Sequence, residues 1–481
     1  MSKSHRSNPM LLALLTAVLS PLSALAAGSQ DTGLAAVQAL VDQGQYSRAQ
    51  ARISQLLERT QSGQSRTDLL FEAERMRRIQ LDFTLREKDL LSAIQGYIPD
   101  ATAGDIAAWK RDQLLEYKVI DGERRYFRKV AYNLVHISDA AARRSNDYRL
   151  YSENPPLYAL HRHHLEIINA DTPVRRRFRI RYRLSVNPDA VPAGETIRAW
   201  IPFPKELPGR QENITLLQSS PKHHHLAPAQ QPQRTIYFEQ QAVAGEPTRF
   251  EVSYAFDSIA AYTRIDAEKV TPRDSLPQSV QPYLREREPH IRFTPEMVAL
   301  SKRIVGDEKN PYHIAQRLFA YVDDIPWAGA REYSTIRNIS RDAAEAGHAD
   351  CGQQTLLLIT LMRLNGIPAR WQSGWEFSPT AFDTMHDWGE FYLAPYGWMP
   401  MDVTHGKLGD GDSSADWFYL GGLDAYRLIF NSDYSRPLVP PKQHFRSETV
   451  DSQRGEVEWH GGNLYFDQWD YQLNWELLEQ Q

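Results

Sequence analysis

One cysteine, Cys351, stands in 481 residues, and a single thiol excludes the intrachain disulfide framework that small exported domains use as staples. Positive charge is not in excess. Lysine and arginine number 55 against 60 aspartates and glutamates, a formal charge of −5, so the whole chain has no electrostatic footprint for nucleic acid. No apolar run of membrane-spanning length occurs anywhere in the chain. With 26 glycines and 29 prolines, collagen-like and low-complexity classes are also excluded. What remains is 42% hydrophobic and 11% aromatic residues, material for two or three packed cores.

The first 26 residues read as an export signal. Lys3 and Arg6 give a basic start, Leu11 to Leu19 an apolar run too short to span a bilayer, and Ala24-Leu25-Ala26 a small-x-small cleavage pattern. An exported protein follows, periplasmic or extracellular, with no stable membrane insertion after cleavage. No cysteine lies near the cleavage point to take a lipid anchor. A lone thiol in an oxidising compartment then needs a reason, the alternative being a buried cysteine used as a small apolar residue.

Residues 27–165 form a mostly helical module. Leu34, Val37, Leu40 and Val41, then Ala49, Ile53, Leu56 and Leu57, repeat at helical spacing on either side of Gly44, a pair similar to one tetratricopeptide-type unit. Asp121-Gly122 between Val119-Ile120 and Tyr126-Phe127 predicts a tight hairpin. Over 172–265 the period becomes two: Phe178, Ile180, Tyr182, Leu184 and Val186 alternate with Arg177, Arg179, Arg181 and Arg183, which predicts a β-sandwich-like domain. The arginine stripe reads as a solvated sheet face rather than a polyanion site. His223-His224-His225 reads as a surface loop, and Asp410-Gly411-Asp412 as a turn, so no metal and no cofactor is assigned. The aromatic-rich residues 431–481 read as a β-rich extension packed onto the rest.

Cys351 opens the run Gln353 to Leu364, apolar on almost every face and closed by Gly366 and Pro368. The thiol therefore sits at the positive end of a buried helix, which favours thiolate and predicts rapid alkylation near pH 6. Two strands follow, His386 to Leu393 and Gly397 to Val403. A three-residue turn, Ala394-Pro395-Tyr396, sets Asp402 across from Trp388 and diagonal to His386. Cys351, His386 and Asp402 are then a usable nucleophile, base and orienter. Glu390 shares the His386 face and can hold Arg370, and Asp350 reads as a surface or capping residue.

Cys351, the helix ending in Gly366-Ile367-Pro368-Ala369-Arg370, His386-x-Trp388 with Glu390 and Tyr392, Gly397-Trp398 and Asp402 together resemble the transglutaminase-like superfamily, over roughly 270–430. The resemblance implies an α+β, papain-like core in which a Cys-bearing helix packs on an antiparallel sheet bearing His386 and Asp402. It also implies an upstream aromatic oxyanion donor, Trp327 or Tyr333. Ala349 and Gly352 stand where cross-linking enzymes place glycine and tryptophan, so the expected activity is hydrolysis of a protein, peptide or other amide through a thioester. Acyl transfer to an amine, or a binding protein that retains the fold without catalysis, are the alternatives.

Overall fold

A computed structural model describes residues 31–60, 62–146, 157–271, 276–378, 383–408 and 415–478. The export signal and Asp410-Gly411-Asp412 lie outside the described residues. Helices α1 (Asp31–Asp42), α2 (Tyr46–Arg59) and α3 (Gln64–Asp82) begin the chain. They bury Val37, Val41, Tyr46, Ala49, Ile53, Leu69, Met76 and Ile79 in a common core. Gly44 turns α1 into α2 at φ +74°, and a Cβ there would meet the Val119 carbonyl oxygen at 2.6 Å, so both backbone and space require glycine. Strands β1 (Tyr117–Ile120) and β2 (Glu123–Tyr126) form the hairpin. Asp121 and Gly122 take φ +48° and +84°, the two left-handed residues of a turn matched to strand twist.

The alternating segment forms β3 (Arg175–Val186), in register with β4 (Thr248–Ile259) from Arg175↔Ile259 to Val186↔Thr248. From Phe178 to Val186 its even residues face inward and are fully buried. Its arginines are matched to acids across the strands: Arg177 to Asp257 at 2.6 Å, Arg179 to Glu476 at 3.1 Å and Arg183 to Glu251 at 2.6 Å. The stripe is thus neutralised where it stands. The tail supplies strands to both sheets of this sandwich: Trp469–Leu478 pairs with β3, and Glu456–Trp459 pairs with Thr196–Pro202.

The third core surrounds α4 (Cys351–Leu364), whose Leu356, Leu357, Leu358, Ile359, Leu361 and Met362 are all inaccessible to solvent. Burial on every side explains why the helix has no polar face. It packs on a four-stranded sheet built from β5 (Ala369–Phe377), β6 (Asp383–Leu393), β7 (Gly397–Met401) and β8 (Arg427–Asn431), in the order β7-β6-β5-β8. Leu393 pairs with Gly397 and Gly389 with Met401. The turn between β6 and β7 is therefore the three residues Ala394-Pro395-Tyr396, and the next residue, Asp402, stands across from Trp388.

The helical module grips the segment that leads to Cys351. Asn133 Nδ2 donates to the Gly329 carbonyl at 2.9 Å while its Oδ1 accepts from the Gly329 N–H at 2.9 Å. The Glu332 N–H donates to Asp82 Oδ2 at 3.0 Å, and Arg331 pairs with Glu116 at 3.2 Å. This segment carries Trp327 and Tyr333.

Candidate active site

Cys351 is the first residue of α4, capped by Asp350. The Gln353 N–H donates to Asp350 Oδ1 at 3.0 Å, and the Asp350 N–H donates back to Gln353 Oε1 at 3.1 Å, a reciprocal cap of the orphan N–H groups. Asp350 is thus a cap that faces inward rather than a surface residue, and burial pushes its carboxyl up to about 6. The partly exposed thiol lines a pocket of about 270 Å³, whose walls include Lys129, Trp327, Tyr333, Asp387, Gln453 and Arg454. Gly352 has a local reason: a Cβ there would lie 2.1 Å from the Tyr333 hydroxyl and 2.5 Å from Asp387 Oδ2. No larger residue fits after the cysteine without moving both groups.

The thiol donates to Asp387 Oδ2 at 3.5 Å. Asp387 is fixed by Gln453, whose Nε2 donates to its Oδ1 at 2.8 Å, and by Thr355, whose hydroxyl donates to its carbonyl at 3.2 Å. Burial, then the charges of Asp387 and Asp350, push the Cys351 thiol well above its usual range. Burial and the charges of Asp451 and Asp350 raise Asp387 in the same way. The thiolate expected near neutral pH from the helix end is therefore not the resting state. A helix terminus contributes about 0.3–1 kcal/mol near the surface, less than one pKa unit, and desolvation beside two carboxyls outweighs it.

His386 and Asp402 come together as the register requires: His386 Nε2 lies 2.9 Å from Asp402 Oδ2. Successive strand residues point to opposite faces. With Asp387 turned to the thiol, His386 is turned to the other face of β6, where it stacks on Trp388 at 5.8 Å. Among the described residues the ring's Nδ1 makes no hydrogen bond. Around the pair lie Glu376, 3.7 Å from His386 Nε2, His405, 2.7 Å from Glu376, and Arg427, 2.9 Å from Asp402. Burial would raise the Asp402 carboxyl, but His386, His405 and Arg427 outweigh it and hold it well below the usual range. The charge of Glu376 reaches the thiol too, so the two clusters adjoin.

Two of the three expected catalytic residues thus meet, and the third is held by Asp387. Trp327 lines the pocket with its ring against His136 at 5.4 Å. The Tyr333 hydroxyl donates to Asp350 Oδ1 at 2.7 Å and lies 3.3 Å from Asp387 Oδ2, so its proton is already engaged. Glu390 accepts from Arg370 Nε at 2.6 Å. Asp387, Glu376, His405 and Arg427 were not apparent from sequence spacing. The same alternation that pairs His386 with Asp402 also assigns Asp387 to the opposite face, once the side taken by α4 is known.

Residues 298–403 match the model of the transglutaminase-like superfamily. No curated protein matches the chain. A candidate cysteine protease from Cytophaga hutchinsonii is 13% identical, covering 64% of this chain and 94% of that one, with a TM-score of 0.42. The periplasmic domain of TgpA from Pseudomonas aeruginosa is 15% identical over 50% of this chain and 91% of that one, with a TM-score of 0.24. A candidate protease from Parabacteroides distasonis is 8% identical over 55% and 48%, with a TM-score of 0.22.

Proposed function

From a transglutaminase-like core at residues 298–403, we propose an exported hydrolase that cleaves amide or peptide bonds through a thioester on Cys351. Cys351 Sγ attacks the carbonyl carbon, and its proton passes to His386, oriented by Asp402. The C–N bond breaks as the imidazolium protonates the leaving amine. Water then attacks the thioester, releasing the carboxylic acid and returning the proton to sulfur. The backbone N–H of Cys351, aided by Trp327, is the proposed oxyanion donor. Tyr333 is less suited while its proton serves Asp350.

The observation that supports this best is a partly exposed thiol on the first turn of a buried helix, opening into a polar pocket. The described conformation is a resting one in this proposal: the thiol stays protonated and donates to Asp387, and substrate entry breaks that contact before His386 acts. The proposal includes export by the signal at 1–26 and the division into a helical module, a sandwich and a core. No helix among the described residues is long and apolar enough to cross a membrane.

A second reading, a binding protein without catalysis, is favoured by the same Cys351–Asp387 contact, which keeps the thiol protonated. Incubating the chain from Ala27 with a quenched peptide library and a fluorescent amine separates the readings. Cleavage lost in Cys351→Ala and His386→Ala is the expected result. Amine incorporation instead means acyl transfer, and neither product means binding. Cleavage kept in His386→Ala but lost in Asp387→Asn would make Asp387 the base.

A further inference from the structure

Beside the thiol cluster, Glu376, His386, Asp402 and His405 each offer one ligand atom, and all four atoms lie within 4.8 Å of one another. Glu376 and His386 stand on neighbouring strands, and Asp402 and His405 on the segment leaving β7. Nothing in their spacing along the chain signals a common centre. Four edges of the figure they form are 2.9 Å (His386–Asp402), 3.7 Å (His386–Glu376), 2.7 Å (His405–Glu376) and 3.9 Å (His405–Asp402). Tetrahedral zinc with bonds of roughly 2.0–2.1 Å holds its ligand atoms about 3.3 Å apart. The two short edges and the two long ones bracket that value, so shifts of about half an ångström, within side-chain freedom, convert this cluster to that geometry.

Two further observations point to an ion. Asp402 is fully buried, and its Oδ1 is sealed from solvent without a hydrogen-bond partner, an unmet acceptor on the carboxylate whose other oxygen faces His386 and His405. Fixed charge also leaves room for a cation. Glu376, Asp402 and Asp424 face one guanidinium, Arg427, which Asp424 holds at 2.8 Å and which lies 2.9 Å from Asp402 and 3.2 Å from Glu376. With neutral imidazoles that leaves two negative charges, which a divalent ion cancels and which, without an ion, protons on the imidazoles cancel, burial lowering His405 but Glu376 and Asp402 outweighing it and raising it.

We propose that Glu376, His386, Asp402 and His405 form a binding site for a divalent transition-metal ion of the zinc class, with Arg427 and Asp424 as its outer charges. Two imidazoles and two carboxylates suit zinc and its neighbours rather than calcium or magnesium. An ion there occupies the Nε2 lone pair of His386 and leaves Nδ1 protonated, a donor that cannot accept the thiol proton. The ion therefore holds the enzyme inactive. That last consequence rests on the hydrolase proposal; the site does not.

The test is a titration of the untagged chain, freed of metal by chelation, with Zn²⁺ by calorimetry and with Co²⁺ by visible absorption. One ion per chain with a tetrahedral cobalt spectrum is expected. Affinity should fall at least tenfold in Glu376→Gln and in His405→Ala, and stay unchanged when His223, His224 and His225 are all replaced by alanine. Should His405→Ala fail to fold, the near-isosteric Glu376→Gln carries the test. Substoichiometric uptake, uptake abolished by the loop replacement, or uptake indifferent to both cluster variants overturns the site and leaves a proton-sharing ion-pair network. Peptide cleavage that rises on chelation supports inhibition by the ion, and cleavage unchanged while binding persists overturns the inhibition alone.

Discussion

At the scale of single residues, the chemistry turns on Asp387. It lies against the sulfur and, with burial, keeps it protonated. Since the folded thiol titrates above its usual range, the alkylation rate of the wild type should be low near pH 6 and still climb with pH beyond the range where an ordinary thiol has levelled off. Asp387→Asn removes from the sulfur a carboxyl whose ionised form opposes thiolate and should raise the iodoacetamide rate at pH 7 several-fold; an equal or lower rate would separate the two groups. Gly352→Ala sets helix propensity, about 1 kcal/mol in favour of alanine, against overpacking of about 1–3 kcal/mol. With a Cβ 2.1 Å from the Tyr333 oxygen overpacking should win, lowering the thermal midpoint. Cys351 itself was legible from its solitude and its place before an apolar run. Its protonation was not, because the carboxyl that acts on it most, Asp387, comes from β6 and is brought to the sulfur only by folding.

At the scale of elements, alternation made the site's register legible. Hydrophobic period two located β3, and an odd-numbered turn between β6 and β7 sufficed to put Asp402 diagonal to His386. Parity alone does not say which face a helix covers, so Asp387, one residue from His386, took the place beside the thiol. Residues Glu376 and His405 entered for a related reason: one precedes β6 and the other follows β7, and only their folding to one face brings them to His386. The buried helix α4 is the element that carries most of this core. Leu358→Ala, at a fully inaccessible position, should cost about 2–5 kcal/mol, read as a lower urea midpoint with an unchanged slope; a loss below about 1 kcal/mol would mean that the cavity collapses or that the helix is not held as described.

At the scale of the whole molecule, the three hydrophobic cores are joined through the site. The helical module holds the segment bearing Trp327 and Tyr333 through Asn133, Asp82 and Glu116. Helices were legible there from their spacing, whereas their grip on this segment rests on polar pairs more than 100 residues apart and leaves no local pattern. Asn133→Ala strands the N–H and carbonyl of Gly329 and should cost about 1–3 kcal/mol while weakening turnover through the loosened pocket wall; unchanged unfolding and turnover would detach the module from the site. The tail gives strands to both sandwich sheets and Asp451 and Gln453 to the Asp387 cluster.

The most direct measurement is the intact mass of the chain from Ala27 after rapid mixing with an activated amide substrate, taken before the thioester hydrolyses. An acyl adduct on Cys351 is predicted, absent in Cys351→Ala and strongly slowed in His386→Ala. Substrate turnover in Cys351→Ala, or adduct formation at the same rate with and without His386, would contradict the account.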